Sequence, residues 1–369
     1  MIISRTPFRV SLFGGGSDFR EHYERTPGAV LTLAINRYMY VTVNRRFDDS
    51  IRVSYTRTEI VPHLGGLRHE LIREAMRVAG VTKRVEITTI ADLPSGIGLG
   101  SSSVLTVGVL NALFAYRGVF VPAGELAALA SRIEIDVLGK PIGKQDQFIA
   151  AHGGFQFIRF FSDERVTVEP MHCRPETARA LVDQLMLFYT GITRAAGSVL
   201  GQAKRRMTTR RQTQHAIERL VTLAEEQRAR VAANDVSGIG PALDVAWQLK
   251  KEMSSRVSSS ELDRYYARSR RAGATGGKIV GAGGGGCLLV CVPADARDTV
   301  RRAMTRCGLR EIPLEIEPGG TTIIHASDWE SPATDAAPFA SRRKELPPAV
   351  PAPARTRRRP APPRGQAGS

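Results

Sequence analysis

Asp92-Leu93-Pro94-Ser95-Gly96-Ile97-Gly98-Leu99-Gly100-Ser101-Ser102-Ser103 leads directly into residues 104–116, an apolar stretch free of proline. That stretch reads as a buried helix, so the glycines sit at its N-terminus. Glycine lets the backbone approach a ligand, successive N–H groups can point at phosphate oxygens, and the helix end adds a favourable partial charge. A triphosphate would fit there, although any one of the serines could equally cap the helix. No lysine follows Gly100, which excludes a P-loop. A second run, Gly281-Ala282-Gly283-Gly284-Gly285-Gly286, satisfies GxGxxG but continues into Cys287-Leu288-Leu289-Val290-Cys291-Val292, a strand pattern. A dinucleotide fold needs a helix at that point, so a Rossmann reading fails as well.

Outward from the loop, alternation marks strands over 3–13, 29–35, 38–44, 51–55 and 85–90, with a helix over 67–79. Helices are expected over 122–138 and from residue 143, and strands over 154–160 and 185–189. Helical patterns follow over 196–233, 239–251 and 260–271. Residues 278–280 and 287–292 read as strands around the second glycine run. A helix over 294–307 and strands over 311–316 and 321–325 then complete a second unit. The pattern predicts an α+β fold of two α+β domains, 1–180 and 181–330, as a chain of 369 residues warrants. The tail, 331–369, holds nine of the 21 prolines among alanines and arginines. It cannot bury enough surface to offset its ordering entropy and is expected to be disordered.

The formal net charge of +16 raises the question of a nucleic-acid partner. Eight basic residues against Asp335 and Glu345 place a net +6 of it in the tail, and much of the rest lies in Lys204-Arg205-Arg206 and Arg210-Arg211. No aromatic residues are interleaved with these clusters, so a single-strand stacking platform is disfavoured and a solvated basic surface is the better reading. The sequence has neither a signal-type start nor a run long enough for a membrane helix. Cys173, Cys287, Cys291 and Cys307 lack metal-ligand spacing and read as buried free thiols in a reducing compartment. A cytoplasmic protein is expected, with a small-molecule substrate and no membrane partner; a homodimer is compatible with this.

The segment from Pro94 to Ser103 resembles the PxxxGLGSS motif of the GHMP kinases. Two further motifs stand in the family's order. Thr6-Pro7-Phe8-Arg9-Val10-Ser11-Leu12-Phe13-Gly14-Gly15-Gly16-Ser17-Asp18 resembles the first, and residues 278–286 resemble the third, the likeness running over 3–325. The resemblance implies the GHMP kinase fold with the nucleotide site between its domains, ATP and Mg²⁺ as cofactors, and phosphoryl transfer to a sugar hydroxyl. By that motif the nucleotide contacts are Pro94, Gly96, Gly98, Leu99, Gly100, Ser101, Ser102 and Ser103, with Gly283 and Gly284.

Phosphoryl transfer needs charge neutralisation, in-line positioning and a carboxylate beside the acceptor hydroxyl. The family's aspartate matches Asp146 in Gly143-Lys144-Gln145-Asp146-Gln147-Phe148, as general base or orienting charge. Arg9 would sit near the phosphate or Asp146; Lys144 would touch phosphate or lower the Asp146 pKa, or else be a solvated surface charge. The family's metal ligands match Ser102 and Glu134, with Asp136 as the rival carboxylate on the same helix. Gly15, Gly16, Ser17 and Asp18 would meet the acceptor. Galactokinases carry a Glu-His pair where this chain has Gly15-Gly16, which leaves room for a larger substrate.

The first motif, the Gln-Asp-Gln segment and Tyr189-Thr190-Gly191-Ile192-Thr193-Arg194-Ala195 resemble the D-glycero-D-manno-heptose 7-phosphate kinases. That likeness implies phosphorylation of an anomeric hydroxyl on a sugar that already carries a phosphate, with Arg194, Lys140 and Lys144 as candidates for the second anion pocket. An unphosphorylated sugar such as fucose, or an inactive nucleotide-binding homologue, stands as the alternative. Truncation before Ser331 is expected to leave kcat and the thermal midpoint nearly unchanged, measured side by side on the full and shortened chains.

Overall fold

A computed structural model of the chain describes residues 1–193 and 196–327; the tail from Ser331 and Arg194 lie outside them. In chain order the first half runs β1 (Ile2–Phe13), α1 (Arg20–Tyr23), β2 (Gly28–Arg45), β3 (Ile51–Ser54), β4 (Thr58–Val61), α2 (Glu70–Ala79), β5 (Val85–Ala91), α3 (Ser101–Tyr116), α4 (Ala123–Ser131), α5 (Gln145–His152), β6 (Phe155–Phe160) and β7 (Val166–Pro170). The second half runs α6 (Pro175–Gln184), β8 (Leu185–Tyr189), α7 (Ala196–Thr209), α8 (Arg211–Ala232), α9 (Ile239–Met253), α10 (Ser260–Arg271), β9 (Gly276–Ile279), β10 (Cys287–Cys291), α11 (Arg297–Thr305), β11 (Arg310–Ile312) and β12 (Thr322–Ala326).

The spine of the larger sheet is β2. Along one edge it pairs with β1; along the other, Gly28 to Leu33 face β6 and Met39 to Arg45 face β5, so one strand carries two different neighbours. The sequence suggests two strands here, but the structure has one with a bulge. Pro7 pairs with Tyr38 and Phe8 with Ile35, which leaves Asn36 and Arg37 outside the register. A bulge that bends the strand is what lets it serve both neighbours. The smaller sheet, β11-β8-β10-β9, is antiparallel throughout.

One expectation is corrected by the topology. Residues 321–325 do not complete the second unit: β12 pairs antiparallel with β1, Ile2 opposite Ala326, and the chain returns to the first sheet. The physical reason is the outer edge of β1, whose unpaired N–H and C=O groups this return satisfies. The strands β4 and β7, absent from the sequence reading, are short and half-exposed, of four and five residues, so they carry little signal of their own. The change from the first sheet to the second falls across α6.

Between the larger sheet and helices α2, α4 and α5 lies α3, apolar on every side and buried along most of its length. One continuous core joins Phe8, Leu12 and Phe157 of the first sheet to Leu187 and Leu289 of the second. A smaller cluster gathers Trp247, Phe188 and Leu288. Cys287 and Cys291 are buried within β10, whereas Cys173 and Cys307 are only half-buried, and all four are free thiols. Among the described residues no helix is long and apolar enough to cross a membrane. Ending the chain after Gly320 removes β12 and the bonds of Thr321 to Thr6, Asn111 and Ala150. At about 0.5–1.5 kcal/mol per lost hydrogen bond it is expected to cost a few kcal/mol in urea denaturation, whereas ending after Glu330 is not.

Candidate active site

The three glycine-rich segments meet around a cavity of about 440 Å³, within the usual range for small-molecule sites. The middle loop and the third loop touch backbone to backbone. A Cβ on Gly98 would lie 2.8 Å from Val280 O, and one on Gly281 would lie 2.3 Å from Gly98 O. Both residues also have φ near the left-handed region, +82 and +64. Only glycine satisfies both demands, which explains why the loops carry it there. From Gly100 the chain enters α3, whose N-terminus and the serines Ser101, Ser102 and Ser103 face the cavity.

Arg9, on β1 and 4% exposed, joins these parts. Its Nε donates to Asp146 Oδ1 and its NH2 to Asp146 Oδ2, each at 2.7 Å, while NH1 donates to Gly98 O at 2.7 Å. The planar guanidinium therefore fixes the α5 carboxylate and the phosphate-type loop at once. A Cβ on Gly100 would lie 3.2 Å from Asp146 Oδ2, so the carboxylate sits against the loop at the start of α3. Asp18 lies beside them, accepting from the Gly16 N–H at 3.0 Å and the Gln145 N–H at 3.2 Å. Burial, then the nearby Asp146 charge, raises the Asp18 pKa, and those N–H groups pull it partly back.

Between α4 and α5 the chain forms a π-helical turn, Arg132–Val137, a distortion frequent at functional sites. It turns Glu134 inward, fully buried, and Asp136 outward to an ion pair with Arg20 at 3.0 Å. Of the two rival carboxylates, Glu134 is thus the one that faces the loop. Gln147 Nε2 donates to its Oε1 at 2.9 Å, whereas Oε2 is buried without a hydrogen-bond partner. Burial pushes the Glu134 carboxyl up; Gln147, Ser102 and Ser103 act against that shift. An orphaned carboxylate oxygen next to serine hydroxyls fits a hard divalent cation that completes its shell with phosphate oxygens and water. Among the described residues no group of three or more His, Cys, Asp or Glu side chains is placed to hold a metal ion.

Several sequence expectations need correction. Lys144 does not line the cavity: its ammonium pairs with Glu164 and lies over the Tyr23 ring, 4.8 Å from the centroid. Lys140 likewise pairs with Glu70 at 3.2 Å. Ser17 is fully buried, its hydroxyl within 2.8 Å of Gly14 O and accepting from the Ala29 N–H, so it holds the turn and not a ligand. Leu99 points into the core, and the Gly284 N–H is taken by Val257 O at 2.6 Å. Pro94 also lies off the cavity wall. Gly15, Gly16, Asp18, Gly96, Gly98, Gly100, Ser101, Ser102, Ser103, Gly283, Arg9 and Asp146 line it. Sequence reasoning missed Lys250 and Met253, which share one face of α9, and gave Lys278 no role of its own. It also left unassigned the end lined by Met39, His69, Leu71 and Leu105. The i, i+3 spacing of Lys250 and Met253 was the available signal.

The family described as GHMP kinases N terminal domain matches residues 68–154, and GHMP kinases C terminal matches 223–309. The D-glycero-alpha-D-manno-heptose 7-phosphate kinase of Campylobacter jejuni is 31% identical over 319 residues, 83% of this chain and 93% of that protein. The galactokinase of Pyrococcus furiosus is 25% identical over 346 residues, covering 83% and 93%. Among solved structures, a D-glycero-D-manno-heptose 1-phosphate kinase from Bacteriodes thetaiotaomicron superposes with TM-score 0.74 at 24% identity, over 89% of this chain and 100% of that one. The fold and the convergent glycine loops define a phosphotransferase of the small-molecule kinase type. The chain belongs to the GHMP kinases, and it is an ATP-dependent kinase.

Glu134→Gln and Ser102→Ala are each expected to raise the Mg²⁺ concentration needed for half-maximal rate and to lower kcat, because each removes an oxygen donor or its charge. Asp136→Asn, which breaks only the Arg20 pair, is expected to matter less. Initial rates across a Mg²⁺ titration check the ranking, and the reverse order would move the metal to Asp136.

Proposed function

We propose that the protein transfers the γ-phosphoryl group of ATP to the anomeric hydroxyl of a sugar that already carries a phosphate, D-glycero-D-manno-heptose 7-phosphate being the preferred acceptor. The observation that carries this reading is the Asp146 carboxylate, clamped by Arg9 against Gly100 at the N-terminus of α3. A phosphate-type loop and a carboxylate in contact are what phosphoryl transfer to a hydroxyl requires. Support for the acceptor comes from the Campylobacter jejuni relative and from the three glycines before Ser17-Asp18.

In this reading the apolar end near Met39, Leu71 and Leu105 takes the base, and the N–H groups of the middle loop and α3 take the triphosphate. Ser102 and Glu134 would hold Mg²⁺, which would supply charge neutralisation at the phosphates. Both oxygens of Asp146 already accept from Arg9, which fixes the direction in which the carboxylate faces. Its main work is then to orient the acceptor hydroxyl in line with the phosphorus and to receive its proton as the bond forms. Asp18, held by two backbone N–H groups, accepts from a sugar hydroxyl. The space beside Gly15, where a Cβ would meet nothing nearer than 3.6 Å, admits the rest of the acceptor. The reaction would take place in the cytoplasm.

Asp146→Asn is expected to lower kcat by about 10²- to 10⁴-fold with little change in nucleotide affinity, measured by coupled ADP release. Full activity in that variant would remove Asp146 from the reaction. The same assay, run with heptose 7-phosphate, mannose 6-phosphate, fucose, galactose and mevalonate, is expected to favour the heptose phosphate. Preference for a neutral sugar would replace the acceptor and leave the role of Asp146 intact.

A further inference from the structure

Three cationic side chains reach the cavity: Arg9 from β1, Lys250 from α9 and Lys278 from β9. The charge of Arg9 is answered by Asp146. Among the described residues neither lysine has a carboxylate within ion-pair distance. Lys278, 6% exposed, donates to Leu12 O at 2.6 Å. Lys250 donates to Ile279 O at 2.8 Å and Gly281 O at 2.6 Å, at the entry to the third glycine loop. An ammonium has three donors, so at least two on Lys278 and one on Lys250 remain for a ligand. The other acid in this part of the cavity, Asp18, is occupied by the Gly16 and Gln145 N–H groups.

A buried ammonium, Lys278, and a half-buried one, Lys250, without a counter-ion are costly, and a protein keeps them where an anion arrives to offset the cost. Burial, with Arg9 close by, brings the Lys278 pKa down to about 7. Burial, followed by the charges of Lys278 and Arg9, lowers that of Lys250 well below its ordinary value. The lysines that sequence reasoning offered as an anion pocket, Lys140 and Lys144, are already engaged by Glu70 and Glu164.

We propose that Lys250 and Lys278 form a phosphate-binding pair that takes a tetrahedral phosphate between the third glycine loop and the Leu12 end of β1. The inference rests on the kinase reading of this cavity but not on the identity of the acceptor. The phosphate is either the terminal group of the nucleotide or the one already on the acceptor. Because burial brings Lys278 down to about 7 and lowers Lys250 as well, and an anion favours the charged forms, phosphate binding takes up protons.

The test is calorimetric titration of inorganic phosphate into the full chain at about pH 8, above the Lys278 pKa, in two buffers of different ionisation heat. It is repeated with saturating non-hydrolysable ATP analogue and with Lys278→Met and Lys250→Met. Methionine keeps the apolar stem and removes a desolvated charge, so the thermal midpoints are expected to hold or rise. Loss of charge-assisted hydrogen bonds should weaken phosphate binding about ten- to hundredfold in each variant. Proton uptake should fall with it. Competition by the analogue assigns the pair to the donor phosphate; simultaneous binding assigns it to the acceptor, and KM for ATP or for the sugar phosphate should rise accordingly. Phosphate binding that is undetectable in the wild type, unchanged in both variants, or free of proton uptake would overturn the proposal. A failed acceptor screen would leave it standing.

Discussion

The bidentate pair between Arg9 and Asp146 is the interaction on which the site depends. Arg9 belongs to the edge-paired β1, Asp146 to the first turn of α5, and the remaining guanidinium nitrogen reaches the middle glycine loop at Gly98. Three segments far apart in the chain are thereby held at one point. A lysine in place of Arg9 could pair with the carboxylate but could not span both oxygens and the carbonyl with fixed geometry. The pair also holds both Asp146 oxygens in one orientation beside the start of α3.

Around that point the backbone, more than the side chains, sets the shape. The middle and third loops approach so closely at Gly98 and Gly281 that no Cβ fits between them. At the other wall, the Met253 side chain fills the space a Cβ on Gly16 would take, at 2.5 Å. The glycines therefore do two jobs. Some open N–H groups toward a phosphate, and others let separate parts of the fold close over the cavity.

The distribution of charge follows the same economy. Lys144 and Lys140, off the cavity, are met by Glu164 and Glu70, whereas Lys250 and Lys278 on the cavity wall meet only backbone carbonyls. Electrostatic potential is thus concentrated where a phosphate would sit, and the large net charge of the chain is mostly unrelated to it.

The sequence by itself determined the α+β character, the buried helix behind the middle loop, the three glycine segments, and Arg9, Asp18, Glu134 and Asp146 as the residues to watch. The elements and glycine segments were legible because glycine runs and apolar periodicity are local signals, and the four residues came from the resemblance of their motifs to those of the GHMP kinases. Tertiary structure alone decided the rest. It returned β12 to the first sheet, because the unpaired edge of β1 is visible only once the sheet exists. It chose Glu134 over Asp136 through a π-helical turn that shifts the register of one helix face, which residue spacing cannot reveal. It also exchanged Lys144 for Lys250 and Lys278, since whether a lysine faces a carboxylate or a cavity depends on what the fold packs against it.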